Sequence, residues 1–201
     1  MKQTITSALT AVALAASFAT AQVVYAQDFQ KGSDAAQKGD FATALQEWRP
    51  LAEQGISSAQ YNLGLMYVNG NGVTQDYKEA VKWFRLAGGQ GYISAHYSLG
   101  LMHERGQGVM QDYEEAVKWY RLAAEKGDAS AQYNLGLKYA KGQGVIQDHV
   151  LAYMWWNIAA TTGHSNASEN KDIAAGMMTA SQLEKAQDLA RECVKKNYKG
   201  C

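Results

Sequence analysis

Apolar residues recur along this chain at three- and four-residue spacing, in short runs separated by glycine loops. Ala59, Leu63 and Met66 share one helical face, and Tyr61, Leu65 and Val68 share the opposite one. The spacing predicts a helix from about Ser58 to Asn69 with two apolar faces. A second helix is expected from Asp76, where Tyr77, Ala80, Val81, Phe84 and Ala87 form one stripe. Asp76 with Glu79, and Asp112 with Glu115, fit reciprocal N-terminal capping boxes. Gly91, Gly127 and Gly163 stand where a left-handed residue would end that helix.

The whole pattern returns every 36 residues. SAQYNLGLMY from Ser58 becomes SAHYSLGLMH from Ser94 and SAQYNLGLKY from Ser130. The loops are GNGVTQD from Gly70, GQGVMQD from Gly106 and GQGVIQD from Gly142. DYKEAVKWF from Asp76 returns as DYEEAVKWY from Asp112 and, worn, as DHVLAYMWW from Asp148; DFATALQEW from Asp40 is a further worn copy. A helix pair cannot bury two apolar faces alone, whereas a stack of pairs can. Gly64, Gly100 and Gly136 sit inside helices at a propensity cost of about 1 kcal/mol each against alanine, which points to close helix approach. The expected units are 27–56, a degenerate repeat; 57–92, 93–128 and 129–164, full repeats; and 165–201, capping helices. The first unit would hold helices at Phe29 to Gln37 and Asp40 to Gln54, the second interrupted by Pro50. The last would hold helices near Asn166 to Gly176 and Ala180 to Lys196. Thr179 and Gln182 would cap the final helix, which would bury Leu183, Ala186, Ala190, Cys193 and Val194.

The first 26 residues break the pattern. Lys2 is their only charge, Ile5 to Ala21 is Ala-rich and apolar, and small residues follow at Ala19–Ala21 and Val24–Ala26. This reads as a secretory signal, cleaved after Ala26 or after Ala21. Hydroxyls at Thr6, Ser7, Thr10 and Ser17 make the run a poor membrane span, and no later stretch is long enough. The protein is therefore expected to be exported, periplasmic or secreted. Nineteen basic and nineteen acidic residues cancel, which removes the electrostatic case for nucleic acid. The two cysteines, Cys193 and Cys201, have three possible states: an internal bridge, free thiols or an intermolecular bridge. A bridge closing so short a loop contributes about 2–3 kcal/mol in the chain-entropy account.

The positions Ala59, Leu63, Gly64, Tyr67, Gly70, Gly72, Val73, Asp76, Ala80 and Trp83, repeated twice at the same spacing, resemble the Sel-one-like repeat, a relative of the tetratricopeptide repeat. His103 is the one departure, standing where the other copies have Tyr67 and Tyr139. The resemblance implies an all-α, right-handed solenoid of antiparallel helix pairs. It also implies a non-catalytic scaffold or adaptor, often of the bacterial envelope, that binds a protein or peptide along a concave face. The alternative class is a secreted hydrolase: β-lactamase-like relatives carry a regular cysteine pair in each repeat, and this chain has no cysteine within its repeats.

Other chemistry finds little support. The loops put Gln75, Gln111 or Gln147 where a dinucleotide fingerprint needs its third glycine, and the Asp that follows would repel phosphate. No cofactor is expected. His96 and His103, seven apart on one helix, make only a faint metal pair, and no metal site is assigned. The tryptophans Trp83, Trp119, Trp155 and Trp156 suit core packing better than a ligand platform. The candidate partner-binding surface is one face of the first helix in each repeat. Tyr61, Tyr97 and Tyr133 would stack along it beside Leu65, Leu101 and Leu137, bordered by Asn62, Ser98 and Asn134. Glu104, Arg105, Lys138 and Lys141 vary between repeats and would read the partner. The competing reading packs the tyrosines against the next repeat.

Overall fold

The computed structural model describes residues 25–201, which form ten helices and no strand among the described residues. They are α1 (residues 25–37), α2 (Phe41–Glu53), α3 (Ser57–Asn69), α4 (Tyr77–Gly89), α5 (Ile93–Arg105), α6 (Tyr113–Ala124), α7 (Ala129–Lys141), α8 (His149–Thr161), α9 (Ser165–Met177) and α10 (Ala180–Lys195). From α2 to α9 each packs on the next, and α10 returns past α9 to α8, so the chain is a helical-repeat solenoid. None of the described helices is long and apolar enough to cross a membrane. The expected signal segment falls almost wholly on residues 1–24, outside the described ones.

The helical glycines explain the tight pairing. A Cβ on Gly64 would lie 2.6 Å from the Phe84 ring, and one on Gly100 would lie 2.5 Å from the Tyr120 ring. Trp156 covers Gly136 in the same way, and Trp48 covers Gly32 in the first pair. Phe84 and Tyr120 are fully buried by this contact and Trp156 nearly so, which repays the glycine's helix cost in dispersion and apolar burial.

The loops are joints. Gly70, Gly106 and Gly142 end α3, α5 and α7 in the left-handed conformation. Gly72, two residues on, lies against the previous repeat: its Cβ would stand 2.7 Å from the Phe41 carbonyl oxygen. Gly108 and Gly144 press the same way on the carbonyls of Tyr77 and Tyr113. Gln75, Gln111 and Gln147 donate through Nε2 to the carbonyls of Val68, Glu104 and Ala140 at 2.7, 2.9 and 2.7 Å. Asp76, Asp112 and Asp148 then cap the next helix. A second tie recurs at each repeat boundary: Gln60, His96 and Gln132 bond the carbonyls of Ala52, Gly88 and Ala124, at 3.1, 2.8 and 3.2 Å.

Several expectations need correction. α2 runs through Pro50 to Glu53: the proline has no N–H to donate back, but its carbonyl still accepts from Gln54 at 3.1 Å and carries the helix on. The boxes at Asp76 and Asp112 form only the aspartate half, since Glu79 and Glu115 turn instead to Lys82 and Lys118. The Thr179–Gln182 box is complete. Val194 is exposed while Ala186, Ala190 and Cys193 are buried. Trp155 and Trp156 are core residues, whereas Trp83 and Trp119 are only half-buried. A disulfide joins Cys193 to Cys201 across a Cα separation of 5.6 Å. It folds the tail back through Asn197 and Tyr198, both at positive φ, and the Tyr198 ring comes to rest beside Gly127.

Candidate protein-docking face

Helices α3, α5, α7 and α9 are the successive first helices of the repeats, so residues 36 apart form rows across them. The tyrosine row is half-buried and occupied between repeats. Tyr61 meets Tyr92 with ring centroids 5.0 Å apart, and Tyr133 stacks on His164 at 4.5 Å. The Tyr133 hydroxyl also accepts from Asn170 Nδ2 at 3.4 Å. Tyr97 packs on Tyr120 at 5.9 Å and faces Asn134. Burial raises the Tyr61 and Tyr97 hydroxyls above the ordinary phenol range. These rings space the repeats. Ser98 is buried, and Asn62 and Asn134 are half-buried.

Leu65, Leu101 and Leu137 are half-exposed, and two clefts open beside them. One, of about 360 Å³, lies between α3 and α5, walled by Leu65, Val68 and Leu101, with Asn69, Arg105 and Gln107 on its rim. The other, of about 230 Å³, lies between α7 and α9, walled by Leu137, Trp156, Ile173 and Met177, with Lys141 on its rim. The two correspond residue for residue across two repeats: Leu65 to Leu137, Ser98 to Asn170, Leu101 to Ile173 and Arg105 to Met177.

The equivalent space between α5 and α7 is filled. Glu104 stands where Val68 and Ala140 stand in the flanking clefts, and Lys138 where Met102 and Ala174 stand. Lys138, 2% exposed, pairs through Nζ with Glu104, donates to Gln143 Oε1 at 3.0 Å and lies 5.0 Å above the Tyr113 ring. The Tyr120 hydroxyl donates to the other oxygen of Glu104, and burial with that carboxylate pushes the phenol far above its usual range. Glu104 and Lys138, taken from sequence as partner-reading residues, are thus spent on each other; low dielectric makes such a pair tolerable only when its partners are supplied. Arg105 and Lys141 remain exposed and form no ion pair among the described residues. Ile173 and Met177 were missed by sequence reasoning, because α9 carries only a faint copy of the repeat; aligning it 36 residues after α7 would have found both. Trp156, read from sequence as a core residue, also walls this cleft.

His103 breaks another row. Arg49 donates to the Tyr67 hydroxyl at 3.4 Å and Arg121 to that of Tyr139 at 2.8 Å, but His103 gives Arg85 no such partner. Both His103 ring nitrogens are buried without a hydrogen bond. Burial lowers its pKa, with Arg85 of α4 acting in the same sense and Glu115 of α6 and the Asp112 cap before it opposing. His96, on the same helix, bonds the Gly88 carbonyl through Nε2. A histidine held neutral in the fold gives stability that is present above its unfolded pKa, near 6.5, and lost as pH falls. His103→Tyr should therefore remove a pH-dependent loss between about pH 7 and 5, and add about 1 kcal/mol at pH 8 through the restored Arg85 bond. Urea melts of both proteins across that range check this.

Comparison with known proteins agrees with this architecture. The Sel1 repeat model matches residues 57–92, 93–128 and 129–164. A search of curated protein sequences returns no match. Among solved structures, a Sel1 repeat protein from Oxalobacter formigenes is similar at 39% identity and TM-score 0.59, over 64% of this chain and 97% of that one. A protective antigen present in uropathogenic Escherichia coli strains, displaying an SLR fold, is similar at 30% identity and TM-score 0.62, over 87% of this chain. This chain spans about half of that protein, 46% of its length. With more than half its residues matched by three consecutive repeats that each close on a glycine joint, the chain belongs to the Sel1 repeat family.

Proposed function

We propose that this protein is an exported, non-catalytic scaffold that binds a partner protein or peptide along the face formed by α3, α5, α7 and α9. Sel1 repeats generally mediate protein–protein interaction, and the family is generally non-enzymatic. The observation that carries the reading is the row of half-exposed leucines beside open clefts, on a face whose backbone is rigidly spaced. Export is supported by the charge-poor N-terminal run and by the Cys193–Cys201 disulfide, which suits an oxidising compartment. Leu101→Glu with Leu137→Glu tests the face: the variant should keep its helical circular dichroism and lose the proteins that the wild-type chain captures from envelope extract. Recovery of the same proteins in the same amounts would refute the assignment.

A further inference from the structure

We infer that the docking face is bipartite and that its partner is an extended acidic peptide segment with two apolar anchors, one for each open cleft, straddling the Glu104–Lys138 plug. This rests on the reading of the face as a docking surface and specifies what it takes.

The clefts between α3 and α5, α5 and α7, and α7 and α9 occupy equivalent places in the stack. The outer two are open: Leu137 and Ile173 stand in a nearly all-apolar second cleft, and Leu65, Val68 and Leu101 form the apolar patch of a first cleft that also presents Asn69, Gln75, Ser98 and Gln107. The middle one has exchanged valine and methionine for a partly exposed carboxylate and a buried ammonium that complete each other's charge. An apolar anchor entering there would have to separate that pair and leave both charges desolvated without partners. Anchors are therefore directed to the outer clefts. Neighbouring helix axes lie about 8–10 Å apart, so clefts two repeats apart are roughly 20 Å apart. An extended chain covers that in about six residues, an even number that keeps both anchors on one side of the strand.

Charge fixes the rest. Arg105 borders the first cleft and Lys141 the second, both exposed and without an ion-pair partner among the described residues. Glu104, the carboxylate that α5 places on this face, is already neutralised by Lys138. Arg105 and Lys141 are the Lys, Arg, Asp or Glu side chains that line the two clefts, and they favour a carboxylate beside each anchor.

The test selects peptides from a displayed library of random sequences on the purified chain, then measures labelled winners by fluorescence anisotropy. The expected winners carry two apolar residues about six apart, each next to Asp or Glu. Replacing either anchor with Ser should weaken binding roughly tenfold, as should Arg105→Glu with Lys141→Glu. The triple variant E104V/Y120F/K138M gives the middle cleft the residues of the first, and should also accept anchors about three residues apart. Winners of other composition, still lost in L101E/L137E, would overturn the bipartite reading and leave the docking face standing. Winners indifferent to L101E/L137E, or none at all, would overturn both. Self-association of the chain, seen by sedimentation and lost in R105E/K141E, would assign the clefts to a second copy and overturn the peptide.

Discussion

Gly108→Ala is expected to destabilise the protein by about 3 kcal/mol. Two costs combine. The residue has φ +73, a conformation that an alanine occupies at about 1 kcal/mol. The new Cβ would also fall on the Tyr77 carbonyl and Lys78 nitrogen of the previous repeat, both backbone atoms that cannot rotate away, and overpacking of that kind costs about 1–3 kcal/mol. Gly163→Ala is the control: φ is +88, but no atom lies within 4 Å of its Cβ, so only the conformational cost of about 1 kcal/mol applies. Chemical denaturation of the two variants separates the terms. Equal losses at both positions would mean that the glycine joint is not an inter-repeat contact.

Lys138→Met should cost about 3 kcal/mol, at the low end for breaking a buried pair because Glu104 keeps some contact with water. The single substitution strands Glu104 beside the Tyr120 hydroxyl with no cation. E104V/Y120F/K138M removes every member of the set and installs the residues of the first cleft, Val68, Phe84 and Met102. Hydrophobic replacement of a whole buried network is commonly neutral or stabilising, so the triple variant should melt within about 1 kcal/mol of wild type. The loss in the triple variant minus the summed losses of E104V, Y120F and K138M measured singly is the coupling energy of the set. A single variant as stable as wild type would show that the pair contributes nothing.

The fold was legible because a repeat multiplies its own signal. Three copies of one capping aspartate, one helix-interior glycine and one glycine loop left little freedom in where helices begin and end. The described helix limits differ from expectation by a residue or so, except that α1 begins at residue 25 and not at Phe29. Tertiary chemistry that is not local was less legible. Glu104 and Lys138 each look like surface variation within their own helix, and only the juxtaposition of residues 34 apart turns them into one buried unit. Pro50 misled for a different reason: a proline in the last turn forfeits one donor without obstructing the carbonyls ahead of it. The paired states of the cysteines depended on the tail turning back through Asn197 and Tyr198, which no periodicity encodes. The worn repeat at α9 hid half of the second cleft.

A stack of identical units has a weakness as a recognition device. A ligand that fits one cleft fits the next equally well, so it can shift along the array by one step without loss. Such a surface binds but does not measure. The Lys138–Glu104 pair between α5 and α7 breaks that translational symmetry. It doubles the spacing of equivalent open positions among α3, α5, α7 and α9, so on the proposed reading a bound chain would have one alignment in place of several. Two substituted side chains would thus convert a periodic adhesive into a ruler with a defined zero.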